Sequence, residues 1–168
     1  MMKLTALKVD PEFQGKIPPL TFEELEQLEK NIVNDGKVIN PIIVWNRLIV
    51  DGHNRYAILQ KHPDIPYTVH EKEFADRFEV IIWICKNQLG RRNLSPEQKN
   101  YLLGKQYEAE KVAHGGDRKS ADAKSSYHND NLISGEKTCD RIAKENGVNR
   151  ITVIRAEKFA NCVDDRRR

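Results

Sequence analysis

The chain has 168 residues, 39% of them hydrophobic and 32% charged, with a formal net charge of +3. That is enough material for one core, or one core and a small satellite domain. Its longest apolar run, "VIIWIC" at 80–85, falls far short of the roughly 20 residues that cross a bilayer, and "MMKLTALKVD" has no secretory signal pattern.

Cys85, Cys139 and Cys162 form no C-x-x-C pair. Neither a zinc site nor a disulfide framework is expected, and a reducing cytoplasm fits. The charge is uneven. Residues 1–80 hold 10 Lys and Arg against 13 Asp and Glu, a net of −3, whereas residues 81–168 hold 18 against 12, a net of +6. A basic C-terminal half suits a polyanionic partner, and equally an ordinary solvated surface.

In chain order, "PLTFEELEQLEKNIVNDG" reads as a helix. Thr21 is its N-cap, Glu24 the capping-box partner, Gly36 the stop, and Leu25, Leu28 and Ile32 one apolar face. "PIIVWNRLIV" holds two β-rich runs, 42–44 and 48–50, joined at Asn46-Arg47, a hairpin signal. A short helix follows from about Asn54 to Lys61, ended by Pro63, and "IPYTVHE" has strand alternation.

Asp76 opens "DRFEVIIWICKNQ", a helix apolar nearly all round and so expected to be buried. "LSPEQKNYLLGKQYEAEKVA" starts with Ser95 as N-cap, Pro96 at the first helical position and Gln98 closing the box. Residues 114–137 shift to Gly, Ser, Asp, Asn and Lys and read as a flexible linker.

"CDRIAKENGVNRITVIRAEK", residues 139–158, has the pattern of a helix-turn-helix. Ile142, Val148 and Val153 are expected to pack, Ala143 to be small at the crossing, and Gly147 to take a positive backbone angle in the turn. A helical hairpin within a core would give the same spacing. The polar content favours duplex DNA. Asn149, Arg150, Thr152 and Arg155 on the second helix suit base edges in the major groove, and Arg141, Lys144 and Lys158 suit phosphates.

The stretch "IVDGHNRYAI" at 49–58 runs a strand into Asp-Gly and a helix start. Gly52 permits close backbone approach, the helix start offers free N–H groups to an anion, and Arg55 adds a bidentate donor, with His53 and Asn54 beside it. The alternative is a polar turn in which Arg55 pairs with Asp51.

Together these segments resemble the ParB family, across about residues 17–160. "GKVINPIIV" is similar to its first box, "GHNRYAI" to the Arg-rich second and "NQLGRRNLSPEQ" to the third, ahead of a helix-turn-helix, and "DGHNRY" and "GGDRKS" look most like phage and plasmid members. The resemblance implies an α+β fold: a ParB/sulfiredoxin-like N-terminal domain with a small sheet and packed helices over 1–113, a linker over 114–137, and an all-α helix-turn-helix domain over 138–168. It also implies a nucleotide, CTP or another with Mg²⁺, held through Gly52, His53, Asn54, Arg55, Asn87, Gln88 and Arg91.

His53 and Asn54 replace the Glu-Arg of the second box, and His53 stands where sulfiredoxins carry their reactive Cys, which excludes that chemistry. The chain ends at "VDDRRR", so the separate C-terminal dimerisation domain of many ParB proteins is not expected within it. The function expected is a cytoplasmic, nucleoid- or plasmid-associated, sequence-specific DNA-binding protein of plasmid or phage partition or regulation, a homodimer on DNA, with no membrane partner. The alternative is an enzyme of phosphoryl transfer, a weak NTPase or a nuclease, using His53 with Asp51 or Glu24 in a site whose catalytic residues the sequence does not define. A third reading makes the N-terminal domain a protein-interaction module.

Overall fold

The computed structural model describes residues 4–91, 93–114 and 137–166, so the expected linker falls almost wholly outside the described residues. Among the described residues, seven α-helices and a three-stranded sheet make an α+β protein, which divides into two compact units, residues 1–80 and 81–168.

The first unit opens with a 3-10 turn, Leu4–Ala6, and the short helix α1, Pro11–Gly15. Asp10 caps α1, its carboxylate accepting from the N–H of Glu12 at 2.9 Å and of Phe13 at 3.3 Å. Helix α1 was missed from the sequence, although Asp10 as N-cap with Pro11 at the first helical position is a local start signal. Helix α2, Phe22–Asp35, is built as expected: Thr21 and Glu24 close a reciprocal capping box, and Gly36 ends the helix in the left-handed conformation at φ +61°.

Strands β1, Ile42–Trp45, and β2, Leu48–Asp51, form the expected hairpin. Asn46 and Arg47 both take positive φ, 48° and 65°, the pair of angles that matches a two-residue turn to the strands' right-handed twist. Helix α3, His53–Lys61, then leads to β3, Val69–Glu71, which pairs parallel to β1 and gives the order β2-β1-β3. Lys8 adds a single parallel bridge to β2 at Leu48. The core gathers Leu7, Ile32, Val38, Ile42, Val44, Ile49, Ile58 and Leu59 between helices and sheet.

Arg77 closes this unit. Its guanidinium binds both Asp10 oxygens at 2.8 and 2.9 Å, reaches Glu12 at 2.6 Å, and lies 4.6 Å from the ring centre of the buried Phe13.

Helix α4, Arg77–Leu89, begins in the first unit and runs on into the second. Val80, Ile81, Ile84 and Cys85 along it are buried, as its apolar run predicts. Helix α5, Pro96–His114, starts from the predicted Ser95–Gln98 box: the Ser95 N–H donates to Gln98 Oε1 at 2.9 Å, and the Gln98 N–H to Ser95 Oγ at 3.2 Å. Helices α6, Thr138–Asn146, and α7, Arg150–Asp165, complete the unit.

The units divide at Val80, upstream of the boundary that composition suggests after residue 113. Composition records the polar stretch, whereas packing follows α5, which buries Leu103 with Cys139, Ile142 and Ala143 of α6 and Val153 and Ala156 of α7. Gly104 lets α5 and α7 touch: a Cβ there would lie 2.2 Å from the Ala156 carbonyl oxygen.

Candidate functional site

Most of the residues expected to bind a nucleotide or DNA fall in two groups, one in each unit. In the first unit, Gly52 caps α3 with φ +99°, and no side chain caps the helix start. Such a start leaves first-turn N–H groups aimed outward with partial positive charge, a ready anion site. The glycine is required twice over, by its φ and because a Cβ would come within 2.9 Å of Arg55 Nη2.

Arg55 is not a free phosphate donor. Its Nη2 donates to Asp51 Oδ2 at 2.9 Å and to the Pro41 carbonyl at 3.1 Å, so the intramolecular pair weighed from the sequence is present. The buried Nε of Arg55 has no partner.

His53 is 6% exposed, and neither ring nitrogen has a partner. Burial pushes its pKa below the usual histidine value, against the pull of Asp51, so the ring is neutral at pH 7. Asn54 is half-buried at the same helix start. An unpaired buried polar group costs about 1–3 kcal/mol. The His53 nitrogens and Arg55 Nε are buried polar atoms of that kind.

The remaining residues expected at a nucleotide lie in the second unit. Asn87 and Arg91 are exposed, whereas Gln88 is buried and its Oε1 is without a partner. Among the described residues no cluster of three His, Cys, Asp or Glu side chains is placed to hold a metal.

The second group lies on α6, the turn and α7. Gly147 ends α6 at φ +64°, and the Val148 N–H returns to the Ala143 carbonyl at 2.9 Å, which makes the tight turn. Ile142, Ala143 and Val153 are buried as expected; Val148 is not, at 36% exposed, because that bond carries it past the end of the helix to the outside of the turn.

Asn149 caps α7, its Oδ1 accepting from the Ile151 N–H at 2.9 Å. The cap uses one acceptor position of Oδ1 and holds the side chain at the start of α7. With Val153, Ala156 and Ala160 buried, helical spacing turns Ile151, Arg155 and Lys158 outward on one stripe. Arg155, Lys158 and Lys144 are exposed with no partner among the described residues. Arg150 is half exposed, its Nε 3.6 Å from Asp140, a long and weak pair. Thr152 is half-buried on the first turn. The only acid between 148 and 158, Glu157, is turned to Lys111 of α5.

Arg141, expected at phosphate, is committed elsewhere. Its guanidinium binds the fully buried Glu110 of α5 and, at 3.4 Å, Glu145. Lys86 of α4 joins at 3.0 Å from Glu145 and 3.6 Å from Glu110, and Gln106 Nε2 donates to Glu110 at 2.9 Å. The network ties α4, α5 and α6 together. No local signal could reveal it, since Glu110 and Arg141 stand 31 residues apart.

No family model matches the chain, and no curated protein matches it. Among solved structures it is similar to the C2221 form of a pNOB8-like ParB N-domain, with a TM-score of 0.66 and 20% identity over 92% of this chain and 66% of that one. A second pNOB8-like ParB N-domain structure gives a TM-score of 0.60 and 19% identity over 95% of this chain and 62% of that one. The chain thus has the fold of a ParB N-domain and spans somewhat under two thirds of the length of those it matches.

Proposed function

We propose that this chain, carrying a ParB N-domain fold, is a DNA-binding protein of the ParB-like type that serves partition or regulation of a plasmid or phage. The observation that carries the reading is the outward face of α6, the turn and α7. Lys144, Arg150, Arg155 and Lys158 stand there without an exposed acid between residues 148 and 158. A helix entering the major groove needs that surface: cations for phosphates at its flanks and long donors for base edges at its first turns.

Arg150, Thr152 and Arg155 read bases, and Lys144 and Lys158 neutralise phosphates. A gel shift on duplexes selected from a random pool tests this. Arg150→Ala and Arg155→Ala each weaken binding by about 1–3 kcal/mol and relax the preferred sequence, while Lys158→Ala weakens all duplexes alike and lowers the salt slope by about 1. A chain that selects no duplex at moderate salt defeats the reading.

The start of α3 serves as the nucleotide site. The orphaned His53 nitrogens, the unpartnered Arg55 Nε and the uncapped N–H groups fit a nucleoside triphosphate, CTP or another. Any Mg²⁺ would be held through the phosphates themselves. The bound nucleotide supplies the negative charge that this helix start lacks, and Gly52 leaves room for the Arg55 guanidinium to lie against the helix start. Asp51 holds Arg55 in place rather than competing for the ligand. A thermal-shift screen against nucleotides checks the site: stabilisation by one of them, lost in Arg55→Ala, is the expected outcome.

A further inference from the structure

We infer that Ile151 is a specificity residue of the DNA-binding face, reading the 5-methyl group of a thymine in the major groove. The inference rests on the DNA-binding reading above and names what that face recognises. A lone exposed isoleucine is ordinary on a protein surface; what singles out Ile151 is its company.

Ile151 is 54% exposed on the first turn of α7, one helical turn before Arg155 and two before Lys158 on the same stripe. Arg150 precedes it, and Val148, also exposed, stands at the turn three residues earlier. From Val148 to Lys158 the exposed residues are two aliphatic side chains, three cations and the capping Asn149.

A surface that is apolar at its tip and cationic around it matches one polyanion closely. The major groove presents phosphates along its edges and, on its floor, a single kind of aliphatic group, the thymine methyl. Asn149 sharpens the assignment. Its amide oxygen holds the Ile151 N–H and fixes the first turn, so the Ile151 side chain is presented from a rigid backbone.

The test begins with a preferred duplex selected by the full chain from a random pool. Each thymine in it is then replaced by deoxyuridine, which removes the methyl and keeps every hydrogen-bonding group. At one position or more, the replacement weakens wild-type binding about fourfold, the worth of one buried methyl group. Ile151→Ala binds the thymine and deoxyuridine forms of that duplex alike. Its thermal midpoint, measured alongside, stays at the wild-type value because the side chain is exposed, and Ile151→Val keeps part of the discrimination.

A wild-type chain indifferent to every replacement, or Ile151→Ala with its methyl dependence intact, overturns the inference and leaves the DNA-binding reading standing. Failure to select any duplex overturns both. Binding to polyglutamate as tight as to the selected duplex, and lost in Ile151→Ala, assigns the stripe to an acidic protein surface instead.

Discussion

Gly104→Ala probes the close approach of α5 and α7. Glycine in a helix interior ordinarily gives way to alanine with a gain of about 0.5–1 kcal/mol. Here the new methyl would lie 2.2 Å from the Ala156 carbonyl oxygen, 2.5 Å from its carbon and 2.9 Å from the Ala160 Cβ. Ordinary contact begins at 3.4 Å, so α5 and α7 must separate by about 1.2 Å (3.4 less 2.2) at that point. The obstacle is backbone, which no rotamer change relieves. Overpacking costs about 1–3 kcal/mol, and against backbone it falls in the upper part of that range, which outweighs the gain in helix propensity and leaves a net loss of about 1–2 kcal/mol. For a unit of this size that lowers the midpoint by about 4–15 °C. Thermal unfolding by circular dichroism reads the shift, and hydrogen exchange assigns it to α5 and α7. Gly15→Ala is the control, since nothing lies within 4 Å of a Cβ there. A Gly104→Ala chain as stable as wild type would refute the close approach and the packing built on it.

Arg141→Ala lowers the thermal midpoint while Arg155→Ala leaves it unchanged, because Arg141 neutralises the buried Glu110 and Arg155 faces solvent; the expected loss for Arg141 is about 1–3 kcal/mol. Acid weakens the first unit through His53. Burial depresses its pKa, so the unfolded chain takes up a proton near pH 6.5 that the folded chain resists; the stability present above that pH is lost as pH falls through the folded value. Midpoints measured between pH 8 and 5 show this slope, and His53→Gln flattens it. Gly52→Ala forces a side chain into φ +99° and against Arg55, with a cost of about 1–3 kcal/mol; urea unfolding measures it, and nucleotide-induced stabilisation falls with it.

The parts of the fold legible in the sequence are those whose cause is local. Thr21, Glu24 and Gly36 announce α2 because capping is decided within four residues of the helix end. Ser95 and Gln98 do the same for α5. The hairpin was readable from two β-rich runs, although nothing in Asn46-Arg47 alone demands that both take positive φ.

Of the residues expected at DNA, Arg150, Arg155 and Lys158 face outward because the burial of Val153 and Ala156 fixes the phase of α7, and Lys144 because the burial of Ile142 and Ala143 fixes that of α6. Arg141 and Asn149 hold partners that the sequence reading did not name, for opposite reasons. Arg141 has a distant partner on α5 that no spacing rule reveals, whereas Asn149 precedes a helix start and its capping role was open to a local argument. Val148 was expected to pack because it is apolar, and the turn geometry turned it out. The Gly104 contact with Ala156, across 52 residues of chain, was beyond any local reading.

Of the small sheet's two lateral rims, β2 gains a single bridge from Lys8 at Leu48, whereas β3 pairs only with β1 among the described residues. A bare strand rim can recruit further strands from other molecules and seed cross-β stacking. This one is three residues long and continues directly into Lys72 and Glu73 after His70 and Glu71, so an incoming strand would find few pairing positions and a run of hydrated charge. Brevity and ionic side chains thus guard the β3 rim against edge-to-edge pairing.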